Sequence, residues 1–130
     1  MILRACIVWL LIAVAEVGHG ILRVRFLNPR VGDRRARQIG VFTGSALLLA
    51  IAVIAAPWLA LPTAGAAWGV GALWFVLMLL FEILFGRLVF RASWQRIAAD
   101  FDFRRGGWLA IGMAILFLAP FLAAKIRGLL

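Results

Sequence analysis

The 130-residue chain is 66% hydrophobic and only 15% charged, and it carries a net charge of +9. A soluble domain is about half apolar, and one this small could not bury such an excess, so a single domain solvated by lipid is expected. The charge is almost all arginine, but it falls between long apolar runs rather than on a polar domain. This sets nucleic-acid binding aside and points to membrane topology and anionic lipid headgroups.

Crossing about 30 Å of hydrocarbon takes roughly 20 apolar residues. The first run that qualifies is 5–22, "ACIVWLLIAVAEVGHGIL". Its "AVA" at 13–15 has the layout of a signal-peptide cleavage site. The arginines that follow it favour a retained span instead. Cys6 lies in this run, and a lone cysteine excludes an intrachain disulfide or a multi-thiolate metal site, so it reads as a small packing residue. Near the end of the run come Glu16 and His19, one helical turn apart, with Arg23 another turn on.

A basic connection, 23–38, holds Arg23, Arg25, Arg30, Arg34, Arg35 and Arg37. The second run is 39–60, "IGVFTGSALLLAIAVIAAPWLA", in which Gly40 and Gly44 offer a small-residue face for helix packing. A charge-free loop, "LPTAGA", leads to the third run, 67–86. Gly65 and Gly69 repeat the glycine spacing here, and Glu82 stands near the far end. The third connection, 87–106, holds Arg87, Arg91, Arg96, Arg104 and Arg105. Within it "RLVFRASWQRIAADF" sets Val89, Trp94, Ile97 and Phe101 on one helical face, the pattern of a short amphipathic helix on the inner leaflet. The fourth run is 107–124, "GWLAIGMAILFLAPFLAA". The expected fold is therefore all-α, a bundle of four membrane spans with an inner-surface helix between spans three and four.

Eleven arginines lie in the two basic connections, against Arg4, Lys125 and Arg127 on the other face. The positive-inside rule then makes 23–38 and 87–106 cytoplasmic and puts both termini outside, as in a bacterial inner-membrane protein. Trp58 and Trp68 on one side, and Trp94 and Trp108 on the other, suit aromatic belts; Trp9 and Trp74 fall inside spans. Arg34, Arg35, Arg37, Arg104 and Arg105 are the candidates for anionic headgroups.

The order acid, arginines, glycine, span occurs twice, at "GDRRARQIG" and "DFRRGG", with Asp33 and Asp102 placed to cap helix starts. "EVGHGILR" and "EILFGR" echo each other too. Such echoes fit a repeat of two helical hairpins related by an axis along the membrane normal.

"WLLIAVAEVGHGILR" resembles the first span of the small multidrug resistance transporters, which are four-span proteins of similar size. The resemblance rests on "AEV" and the basic residue after it, and it implies that Glu16 exchanges protons for cationic substrates. It covers about a tenth of the chain. The arginine-rich connections, Glu82 and the long third connection depart from that family's pattern.

A charged carboxylate in hydrocarbon costs several kcal/mol, so Glu16 and Glu82 should face protein or water and find partners. Arg23 and Arg87 are the nearest in sequence. One reading is a proton or cation site built from Glu16, His19 and Glu82, in a small transporter or channel. Such a transporter could act as a homo-oligomer; the alternative is a structural Glu/Arg cluster in a non-catalytic accessory subunit of a larger membrane complex. "ExxH" puts two metal ligands on one helix face, but Glu82 has Phe85 where a second such motif would need histidine, so neither metal nor cofactor is expected. No sequence motif places a base beside Thr43, Ser45, Thr63 or Ser93, so an enzyme is not expected.

Overall fold

The computed structural model describes residues 2–88, 91, 93–101 and 108–129. Every regular element among them is helical. Helix α1 (Ile2–Leu22) passes through a wide turn at Arg23–Leu27 into α2 (Asn28–Val31). It is followed by α3 (Asp33–Leu59), α4 (Ala64–Leu88), α5 (Trp94–Phe101) and α6 (Leu109–Ile126). Four stretches are long and apolar enough to cross a membrane: Ile2–Val31, Arg34–Leu59, Ala64–Leu88 and Leu109–Ile126. Large apolar side chains cover the outside, among them Leu10, Leu11, Val14, Ile54, Val76 and Leu80. An apolar exterior of this kind suits a lipid solvent.

The helices outrun their apolar runs. The first connection, expected as a loop, is helical almost throughout, because arginine is a good helix former and nothing stops α1 at Leu22. The physical obstacle comes at Pro29, which has no N–H and whose ring presses on the carbonyl four residues back. The chain answers with a π-helical turn, in which Asn28 N–H reaches the Arg23 carbonyl. Gly32 then breaks the helix at φ 88°, a backbone region that glycine enters at little cost. Gly32, rather than Asp33, occupies the N-cap of α3, and Asp33 is its first helical residue. Asp102, the other expected cap, lies outside the described residues.

Two helical hairpins, α1–α3 and α4–α6, stack on each other with α1 against α4 and α3 against α6. A two-fold axis along the membrane normal would instead set α1 against α6 and α3 against α4. The contacts therefore give the hairpin repeat no support. The shared core runs through Val8 and Ile12 of α1, Leu48 and Ala52 of α3, Trp74 and Met78 of α4, and Met113 and Leu116 of α6.

Trp74 is fully buried because its indole N–H donates to the Ala5 carbonyl at 2.9 Å, tying α4 to α1. A bonded N–H is what lets tryptophan sit deep in an apolar core. Trp9, the other tryptophan within a span, packs edge-on against Phe81 at 6.0 Å between centroids. At the same end of α1 as Ala5, Arg4 donates to the Trp58 carbonyl at 2.9 Å and lies 5.5 Å from that indole, closing the first hairpin.

The second hairpin closes differently. Gly71 of α4 lies directly against the Phe117 carbonyl of α6, and a Cβ there would overlap that oxygen. Around the contact, Trp68 stacks on Phe121 at 4.8 Å, and Phe75 meets Phe117 edge-on at 6.4 Å.

Helix α5 begins where Ser93 Oγ accepts the Arg96 N–H at 3.1 Å, and α4 begins where Thr63 Oγ1 accepts the Ala66 N–H at 3.1 Å. Both are side-chain caps of the usual Ser/Thr kind. Ile97 turns inward against Gly86, while Trp94 is exposed and lies 4.7 Å from the Arg87 guanidinium.

Candidate functional site

Glu16 and His19 of α1 and Arg23, the first residue of the wide turn, form a stripe at spacings of three and four residues that keep them on one face. That face lies over the small residues of α3. A Cβ at Gly44 would come 2.7 Å from Glu16 Oε2. A Cβ at Gly40 would come 3.0 Å from Arg23 Cδ and 3.5 Å from His19 Cε1. The two glycines of α3 therefore seat polar side chains rather than a neighbouring backbone.

At the centre of the stripe, His19 Nδ1 is 4.0 Å from Glu16 Oε2, and His19 Nε2 is 2.5 Å from Thr43 Oγ1. The Thr43 hydroxyl also reaches the carbonyls of Ile39 and Gly40, each at 3.4 Å. Nε2 and the Thr43 hydroxyl share one short hydrogen bond, whose donor is set by the imidazole tautomer. Nδ1 faces the Glu16 carboxyl at more than hydrogen-bond distance. The second Glu16 oxygen, Oε1, is buried and has no hydrogen-bond partner among the described residues.

Glu82 of α4 lies near enough for its charge to repel that of Glu16. The packing of α1 against α4 thus brings the two acids to one region of the bundle. Arg23, Glu82 and Arg87 all engage in polar or ring contacts. At 1.5 Å per residue, Glu16 stands about 10 Å up the helix from Arg23.

Beside the stripe an open groove of about 280 Å³ runs between the wide turn and α3, lined by His19, Leu22, Arg23, Leu27, Ile39, Gly40 and Thr43. Thr43 is the residue that sequence reasoning passed over, for want of a base nearby in the chain. The base lies 24 positions away, and a lone threonine in an apolar span was the only available hint. The hydroxyl, imidazole and carboxyl stand in one row. Thr43 sits in mid-helix, where the surrounding N–H groups serve the helical ladder rather than an oxyanion.

The remaining candidates are dispersed. Arg34 and Arg35 are exposed and Arg37 is half-buried, while Arg104 and Arg105 lie outside the described residues. A Cβ at Gly69 would meet nothing within 4 Å, and one at Gly65 only Thr63 Oγ1 at 3.7 Å. The tight glycine of α4 is instead Gly71, on the face that carries Trp74 and Met78. No group of three or more metal-ligating side chains occurs among the described residues. The chain matches no protein-family model, no curated protein and no solved structure.

Proposed function

We propose that this small integral membrane protein moves protons or cations through a site formed by Glu16, His19 and Glu82. The observation that carries the reading is the imidazole nitrogen facing the Glu16 carboxyl across 4.0 Å, with Thr43 fixing the other side of the ring. A carboxyl and an imidazole so placed can each take up and release a proton. Intramembrane ionisable residues facing a bundle interior characteristically mark ion pathways. In this reading the chain sits in a bacterial inner membrane with residues 23–38 and 87–106 cytoplasmic and both termini outside. Helix α5 lies on the inner leaflet, and the exposed arginines meet anionic headgroups.

The test is proton flux in proteoliposomes. Glu16→Gln keeps the shape and a hydrogen-bonding oxygen but cannot exchange a proton. It should abolish a pH-gradient-driven flux while leaving the thermal midpoint nearly unchanged. The alternative reading takes the acids and arginines as a structural cluster in an accessory subunit of a larger membrane complex. It predicts the opposite: Gln is silent, and Glu16→Ala lowers stability.

A further inference from the structure

We infer that the groove between the wide turn and α3 is a binding site for one anionic phospholipid of the inner leaflet. The groove opens on the outer surface of the bundle, with Leu22, Ile39 and Thr43 exposed at its rim. Its walls differ in kind. Leu22, Leu27 and Ile39 are apolar and suit an acyl chain, while Arg23 and the mutually bonded His19 and Thr43 make the other side polar. Gly40 forms the floor and lets the Arg23 side chain lie flat across α3, since any larger residue would press on its Cδ.

The position along the helix fits a headgroup. Arg23 is the first arginine after the apolar part of α1, and Arg25, Arg30, Arg34 and Arg35 stand exposed just beyond it. A phosphate at the mouth would meet a strongly positive rim, and arginine matches phosphate oxygens with paired donors. The wide turn lines the groove through Arg23 and Leu27. A free phosphate would use only the polar wall, whereas a lipid uses both, so the occupant is the lipid. The inference does not depend on proton movement, because Glu16 and Glu82 do not line the groove.

Native mass spectrometry of the purified protein tests it after exchange into phosphatidylglycerol, phosphatidylcholine or inorganic phosphate. The wild type should retain one phosphatidylglycerol per chain through a wash at high salt, and no phosphatidylcholine. Ile39→Trp fills the groove from an exposed rim position, where it does not disturb the core, and should cut retention at least fivefold. Arg23→Gln should do the same. The double change Arg34→Gln with Arg35→Gln should remove only loosely held, salt-sensitive lipid, and Glu16→Gln should retain the wild-type stoichiometry. Equal retention of phosphatidylcholine, or undiminished retention in Ile39→Trp, would overturn the proposal. So would displacement of the lipid by millimolar phosphate alone, which would make the site a simple anion site.

Discussion

The two hairpins both rely on glycine, and for opposite purposes. In α4–α6, Gly71 admits a backbone: the Phe117 carbonyl occupies the space of the missing side chain, and aromatic rings seal the contact. In α1–α3, Gly40 and Gly44 admit side chains, those of Arg23, His19 and Glu16. One interface is apolar and closely packed. The other holds titratable groups beside an open groove. Small residues in membrane helices are usually read as places where backbones approach closely. Here the same residue type instead lodges a carboxyl inside a bundle.

The comparison can be broken by adding one methyl group at a time. The largest effect is expected for Gly71→Ala. Its Cβ would overlap a backbone oxygen that cannot swing away, so α4 and α6 must separate, at a cost of about 3 kcal/mol. A thermal unfolding series in detergent should show the steepest loss here, and an unchanged midpoint would refute the close approach. Trp74→Phe removes the donor to the Ala5 carbonyl and part of a large buried ring, and should cost about 1–2 kcal/mol in the same assay.

Gly44→Ala should come next, at about 1 kcal/mol, because the group it meets is the far end of a flexible glutamate that can rotate away. Its distinguishing effect is on function. Displacing Glu16 from His19 should impair any proton flux more than it lowers the thermal midpoint, whereas Gly71→Ala should lower both together. The smallest effect belongs to Gly69→Ala. Open space surrounds that position, and alanine is the better helix former, so stability should hold or rise by up to about 1 kcal/mol. A clear loss at Gly69 would mean that α4 is rotated from the orientation described.

The four spans were legible from the sequence because length and apolarity alone dictate them in a bilayer. The ends of the first helix were not. The wide turn is a response to Pro29 that depends on how the ring meets the preceding carbonyl, and arginines read equally as helix or loop. Gly71 was overlooked for Gly69 because a spacing rule picks out a repeat without knowing which face meets a partner. Glu16 and His19 stood out as polar residues in an apolar run. Thr43 joined them only through folding, since a hydroxyl in a span can equally satisfy itself on its own helix. Trp74 was unexplained for a similar reason: its acceptor is a backbone carbonyl 69 positions away, which no side-chain pattern announces.

The first hairpin is fastened at both ends by its own residues, Arg4 to the Trp58 carbonyl and His19 to Thr43. During synthesis, α1 reaches the bilayer carrying Glu16 and His19 with nothing yet to cover them, and α3 is the next span to arrive. Once it does, the carboxyl has its seat over Gly44 and the imidazole its hydroxyl, with no contribution from the second hairpin. The first hairpin thus covers Glu16 and His19 with its own residues. Two fragments divided in the Ala60–Thr63 link, produced together, should accordingly insert as separate hairpins and find each other in the membrane.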